Sequence, residues 1–333
     1  MNVYKLLKIN RIIKSNRIKL LGILMLHILK KRYFGVFLDP IIACNLQCKM
    51  CYFSDENKRK ELNGKFSFND LEKIADKFFP FAIKLQIGCG AEPTMYDNNL
   101  DIIKKAKEKH VPYISMTTNG NILKENDLEE YIQNGLDEIT ISLHGVNKTT
   151  YEELMTNACY ETFLDTLCFI TKLKQKYPAF KVRINYTMNS LNIMELKDFF
   201  NKLGSYSIDI LQLRPITILG NTQYNDFSWK KIIDNYDSTI GFLKKEAKTR
   251  DITIICPSKE DLLKEKNNES MIFDYTYVYI SPKEIWQKDF SLNDDDFRSY
   301  CKKHKYIKQI IKKLFSKNLT SKEKSKLNYE INI

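Results

Sequence analysis

Between residues 34 and 214 the apolar positions alternate between two rhythms. Short runs dense in Ile, Leu, Val and Phe give way to longer stretches in which apolar residues return every third or fourth position. Runs of the first kind predict strands at Phe34 to Ile42, Ile83 to Gly88, Pro112 to Thr117, Glu138 to Leu143, Lys181 to Met188 and Ile208 to Arg214. The second kind predict helices near 67–79, 98–110, 124–134, 160–177 and 192–204. Asn69, Asn126 and Asn192 fall near helix starts, where an amide side chain can cap free backbone N–H groups. Strands separated in this way by helices run parallel, because each crossover helix returns the chain to the end where the previous strand began. An α/β fold with a parallel sheet is the expectation.

Past residue 215 the alternation weakens. Ser228 to Arg250 predicts one long helix and Ile252 to Ile255 a short strand. Tyr275 to Phe290 has aromatic and β-branched residues on both sides of SPKE, which predicts a hairpin rather than another crossover unit. A boundary is expected near 220. Four segments follow: a basic N-terminal helical extension over 1–33, a core over 34–220, a small α+β appendage over 221–305, and a basic tail over 306–333 that begins as a helix and ends loosely ordered. Ile18 to Leu29 is apolar but shorter than the roughly 20 residues a bilayer span needs, and Lys30, Lys31 and Arg32 follow it.

Charge sharpens this division. The net charge is +12, yet residues 1–33 carry nine Lys or Arg and no acid, and residues 302–333 carry ten Lys against Glu323 and Glu330. The central body is therefore slightly acidic and both ends are basic. Basic arms attract nucleic acid, anionic lipid or acidic peptides, although solvated helix faces have the same composition. With no cleavable signal pattern and no paired cysteine framework, a reduced, cytoplasmic protein is expected, with membrane-peripheral association as the variant reading.

The candidate chemistry begins in CNLQCKMC, where Cys44, Cys48 and Cys51 fall within eight residues just after the first predicted strand. Three thiolates can hold three irons of a cubane cluster and leave the fourth iron open. A zinc knot would want a fourth ligand at short spacing, whereas the next candidates are Cys89 and His110. Polar Asn45, Gln47 and Lys49 between the thiols argue against simple packing. Ligands of parallel sheets and barrels bind at the carboxyl ends of the strands. There the chain reads GCGAEP (88–93), TTNG (117–120), SLHG (142–145) and LRP (213–215), so that five loops face one rim. The G-x-G also suggests a dinucleotide loop, but Pro93 stands where that fingerprint needs its third glycine. Cys89 reads as a small buried residue or a reactive thiol, and His144 as a hydrogen-bonded loop residue or a proton donor.

In its C-x-x-x-C-x-x-C signature, in Gly90 to Pro93, in TTNG and in GLDEITISLHG (135–145), the chain resembles the radical S-adenosylmethionine (radical SAM) enzymes, near the branch of molybdenum-cofactor cyclases and SPASM-type peptide-modifying enzymes. The resemblance covers roughly residues 34–215. It implies a partial (βα)6 parallel barrel, with Cys44, Cys48 and Cys51 on one 4Fe–4S cluster and S-adenosylmethionine on the open iron. Gly88, Gly90 and Ala91 would then bring backbone to the methionine part, and Glu92 would accept from its amine. Thr118, Asn119 and Ser142 would reach ribose or carboxylate, and Arg214 would hold the carboxylate bidentately. Two departures stand out: Met50 replaces the usual aromatic before the last Cys, and Ala91 replaces a second glycine. SPASM enzymes carry further cysteine loops, but only Cys256 and Cys301 lie beyond 215, so one cluster is expected. The implied activity is hydrogen abstraction from a peptide or small-molecule substrate, with an electron donor such as flavodoxin or ferredoxin. The alternatives are an RNA-modifying enzyme, motivated by the basic ends, and a non-catalytic iron–sulfur redox protein.

Overall fold

The structure, a computed structural model, describes residues 12–316 apart from 14, 218–221, 223, 225–226 and 264–271. The expected boundary near 220, the basic residues 1–11 and the tail 317–333 lie outside the described residues. Nine strands form one sheet: β1 Phe34–Leu38, β2 Ala82–Ile87, β3 Ile114–Thr118, β4 Glu138–Leu143, β5 Lys181–Met188, β6 Ile210–Pro215, β7 Thr253–Ile255, β8 Tyr277–Ser281 and β9 Glu284–Ile285. Their spatial order is β7-β6-β5-β4-β3-β2-β1-β8-β9. All neighbours are parallel except β8–β9. The first six strands follow one another in sequence order, as βα repeats demand, and the ends stay apart as a partial barrel.

Two expectations change at the edges. Tyr275 to Phe290 does turn back on itself at Pro282, with Ile280 opposite Ile285. Yet its first strand also pairs in parallel with β1, Gly35 opposite Tyr277 through Leu38 opposite Ile280. The predicted short strand after 250 likewise joins β6 as β7. The segment expected as a separate appendage therefore extends the core sheet at both edges. Strand one ends at Leu38, earlier than expected, because Pro40 has no N–H for the ladder.

Helix starts also differ. Ser67 caps helix Phe68–Phe78 in a capping box with Asp70, so Asn69 lies inside the helix. Lys124 precedes helix Glu125–Gln133, and Asn126 is again internal. The stretch near 192–204 is a 3-10 turn, Met194–Asp198, followed by the short helix Phe199–Leu203. Asn192 caps nothing; its amide donates to the carbonyls of His144 (2.7 Å) and Thr187 (2.8 Å), tying the loops after β4 and β5 together.

Strand alternation sorts the two faces of the sheet. Val36, Leu85, Ile87, Met116, Ile139, Ile141, Ile184 and Leu211 are fully buried against the helices. The opposite, concave face carries Lys84, Gln86, Ser115, Thr117, Glu138, Thr140, Ser142, Arg183, Asn185, Gln212 and Arg214, which the register sets side by side. Burying so many polar groups is unfavourable unless they find partners, so the bonding of this concave face has to be accounted for.

Candidate active site

The thiols come first. Cys44, Cys48 and Cys51 lie in the loop after β1, at the carboxyl end of the sheet, and each is half-buried. Backbone pairing moulds the loop: Gln47 N–H donates to Thr156 O (2.9 Å), Lys49 N–H to Leu154 O (3.0 Å) and Cys51 N–H to Cys48 O (2.8 Å). All eight cysteines are free. The three sulfurs do not all lie within 4.8 Å of one another. Four sulfurs around one zinc, at bonds of about 2.3 Å, would sit roughly 3.8 Å apart. Three thiols in one loop would hold three irons of a cubane cluster and leave the fourth open. Burial pushes Cys44 up to about 12, with the Glu92 carboxylate adding to the effect. Burial likewise pushes Cys51 up to about 11. Such thiols give up their protons to a metal, not to water. Met50 is buried beside the loop.

A second group shapes the GCGAEP loop. Gly88 has φ +78°, and a Cβ there would stand 2.4 Å from the Thr117 carbonyl oxygen and 2.6 Å from Pro93 Cγ, so only glycine fits this turn. Asp39, at the end of β1, is buried and collects the loop's free N–H groups: Cys89 at 2.7 Å, and Gly90 at 3.0 Å to Oδ2 and 3.2 Å to Oδ1. Tyr279, on the added strand β8, donates its hydroxyl to Asp39 Oδ2 at 2.8 Å. Burial raises the Asp39 carboxyl, and these donors pull it back toward the ionised form. Tyr52, directly after Cys51, donates to the Gly90 carbonyl. Cys89 is half-buried, with Sγ 3.8 Å from Gln86 O.

Glu92 is the third anchor. Its Oε1 accepts from Thr94 Oγ1 (2.6 Å), Thr94 N–H (3.1 Å) and Thr118 Oγ1 (2.6 Å), and its Oε2 from Asn119 N–H (2.8 Å). Thr118, expected to touch a ligand, is instead committed to Glu92, and Glu92 keeps room only on Oε2. Asn119 donates to Asn45 Oδ1 at 2.8 Å and approaches Cys44 Sγ at 4.0 Å. The expected contacts of Glu92, Thr118 and Asn119 thus become a knot that locks the β2, β3 and cysteine loops together. Gly90, Ala91, Ser142 and Arg214 remain half-buried around the same rim.

Inside the barrel the polar side chains largely satisfy one another. Arg183 pairs with Glu138 at 2.9 Å and donates to Gln212 at 2.8 Å. Tyr113 donates to Glu138 at 2.7 Å. Gln86 donates to Thr117 at 2.8 Å and accepts from Ser115 at 2.7 Å. Some groups stand apart. Asn185 Oδ1, on β5 between Ser142 and Gln212, is buried without a partner, as is His144 Nδ1 at the rim. Burial brings the His144 imidazole down to about 4, so at neutral pH it is a neutral hydrogen-bonding group and not a store of protons. Lys84 Nζ lies 5.8 Å from the Tyr113 ring centre and makes no ion pair among the described residues. Burial, with Arg183 assisting and Glu138 opposing, brings it down to about 8.

Sequence reasoning missed Asp39, Tyr52, Lys84, Asn185 and Tyr279. Every second residue of KVRINYTM is polar up to Thr187, a signal for a polar concave face on β5. Asp39 was visible only as an acid between a strand and Pro40, and Tyr279 belongs to a strand whose neighbour is 240 residues away.

Residues 39–203 match the model of the radical SAM superfamily. A protein of Saccharolobus solfataricus named probable GTP 3',8-cyclase is 28% identical over 206 residues, covering 61% of this chain and 64% of that one. One of the same name from Sulfolobus acidocaldarius is 28% identical over 179 residues, 52% of this chain and 54% of its own. The chain thus spans less than two-thirds of these curated relatives. Among solved structures, Streptococcus suis SuiB bound to S-adenosylmethionine superposes with a TM-score of 0.62 at 16% identity, over 81% of this chain and 65% of that one. Native anSMEcpe with bound AdoMet gives 0.58 at 17% identity, over 83% and 84%. At such identities the structural likeness is one of fold.

Proposed function

We propose, from the premise that the chain carries a radical SAM domain over residues 39–203, that it is an enzyme abstracting hydrogen from a small polar substrate with one anionic group. One observation carries the cofactor half of this reading: three free thiols in a single loop, beside loops fixed by Asp39 and Glu92 at the barrel rim. Cys44, Cys48 and Cys51 would hold a 4Fe–4S cluster, and Gly90, Ala91, Ser142 and Arg214 would surround S-adenosylmethionine. When bound, these groups supply an electron and, by reductive cleavage of the sulfonium, a 5'-deoxyadenosyl radical. What this chain contributes is placement. Asp39 and Tyr52 hold Gly90 from its N–H and C=O sides, and the Glu92 knot keeps the cysteine loop against β3.

Lys84 supports the substrate half. Lys84 makes no ion pair among the described residues, whereas Arg183 is neutralised by Glu138. One such lysine suits a carboxylate or a phosphomonoester; a triphosphate, as the name of the curated relatives would suggest, asks for more counter-charge. Asn185 Oδ1, a buried acceptor further along the same face, would receive a substrate donor. A peptide substrate is the second outcome the assay below distinguishes.

Reduced protein with its iron reconstituted should convert S-adenosylmethionine to 5'-deoxyadenosine, faster with a competent small anion than with peptides. No 5'-deoxyadenosine under any of these conditions would sink the enzyme reading. Lys84→Met should raise KM for such an anion about tenfold to a hundredfold, the loss of one charge-assisted hydrogen bond, with a smaller effect on kcat. Because Lys84 is charged below about 8 and neutral above it, anion binding should weaken as pH rises through 8. A 13C-labelled lysine resonance that titrates there, and is missing from Lys84→Met, gives a check independent of substrate.

A further inference from the structure

Helix Asn16–Ile28 is apolar on two faces. Leu20, Ile23, Leu24 and His27 are buried against the body. The other side presents Ile18 (59% exposed), Leu21 (49%), Met25 (55%) and Ile28 (53%), a stripe at helical spacing. A surface helix of a globular protein normally turns polar residues outward, so this stripe lacks a partner among the described residues. Helix Tyr306–Leu314 lies alongside, antiparallel: the His27 and Tyr306 rings are 5.0 Å apart at one end, and Arg17 donates to Ser316 O at 3.4 Å at the other. It repeats the pattern, with Ile310 buried and Ile307 (41%), Ile311 (41%) and Phe315 (83%) exposed on successive turns.

The charges around these stripes have one sign. Arg17, Lys19, Lys30 and Lys31 belong to the first helix and its exit, and Lys305, Lys308, Lys312 and Lys313 to the second; neither helix contains an acid. Apolar side chains ringed by lysines fit the headgroup region of an anionic bilayer, where the first enter the acyl boundary and the second meet lipid phosphates. Nucleic acid would use the charge but leave the apolar stripes in water. A helix of 13 residues is about 20 Å long, short of the roughly 30 Å of a hydrocarbon core, and no helix among the described residues is long and apolar enough to cross a membrane. The pair can lie on a bilayer, not span it.

We propose that these two helices dock the protein on an anionic lipid surface. Both pack at the amino ends of the strands: Arg298 donates to His27 O (2.6 Å), Phe297 meets Phe34 at the start of β1 (5.0 Å), and Arg32 donates to the carbonyl of Ala82 at the start of β2 (3.1 Å). The cysteine loop is at the carboxyl ends. Docking therefore turns the barrel mouth away from the bilayer, open to dissolved substrates.

Flotation of the full chain with vesicles tests this. It should bind phosphatidylcholine vesicles containing phosphatidylglycerol and not those of phosphatidylcholine alone, and raised salt should release it. Leu21→Glu with Met25→Glu should cut binding at least about tenfold, and each of Lys308→Gln and Lys312→Gln about fivefold, all with 5'-deoxyadenosine formation in solution unchanged. Absence of vesicle binding, or equal binding to both vesicle types, overturns the proposal. So does a dimer that Leu21→Glu/Met25→Glu dissociates, which would give the face to a second copy. Vesicle binding that appears only once residues 1–11 are removed would give it to that segment. Salt-sensitive RNA binding indifferent to the apolar variants, without vesicle binding, would give it to nucleic acid.

Discussion

Cys48→Ala is expected to abolish 5'-deoxyadenosine formation, by about a thousandfold or more, and to lower reconstituted iron from about four per chain to below one. Two thiolates cannot retain a cubane cluster, and the loop holds no fourth cysteine to replace the third. Cys89 is held in the enclosed turn beneath Asp39. Cys256 follows β7 at one edge of the sheet, while Cys301 is buried in helix Phe297–Lys303 near β1 and β8 toward the other. Iron near eight per wild-type chain would contradict a single cluster, and a fully loaded, active Cys48→Ala would contradict the ligand assignment. Since burial holds Cys44 near 12 and Cys51 near 11, iron must displace protons, and loading should improve as pH rises through the neutral range.

Asp39→Ala should have the second largest effect. It leaves the N–H groups of Cys89 and Gly90 and the Tyr279 hydroxyl without their acceptor, each at a cost of about 1–3 kcal/mol when buried. A loss of roughly 3 kcal/mol in urea unfolding is expected, with KM for S-adenosylmethionine raised at least about tenfold. Asp39→Asn keeps one acceptor oxygen and separates the two effects: it should fold and still raise KM, with kcat changing less. Tyr279→Phe removes a single donor and should cost about 1 kcal/mol. An Asp39→Asn protein with wild-type KM would show that Asp39 supports the fold alone and does not position the loop.

Both experiments mark the limit of what linear reading can see. The βα repeat was legible because its periodicities are local: Ile139 and Ile141 are buried in β4 as alternation predicts, and helix Phe68–Phe78 lies where its apolar spacing put it. The cysteine triplet was legible because its ligands are neighbours in sequence. Glu92, Thr118 and Asn119 were recognised as belonging to the rim, but their bonding was not. A carboxylate can meet a cofactor amine or a threonine hydroxyl equally well, and the choice depends on which loop arrives beside it. Asn69 and Asn126 failed as caps because Ser67 and Lys124, one residue before each helix, are where the backbone turns helical.

By itself the sequence determined a parallel α/β core, a three-thiolate loop at the end of its first strand, and an uneven distribution of charge. These depend on side-chain period, on spacing within eight residues, and on composition, none of which needs a third dimension. Only the tertiary structure decided that β8 lies against β1 and lends Tyr279 to Asp39. It alone left Lys84 without an ion pair by giving Glu138 to Arg183, and laid two basic helices side by side with apolar residues facing outward. Pairings across tens to hundreds of residues are chosen by packing of the whole chain, and the chemistry of the thiol loop is set by partners that arrive from that distance.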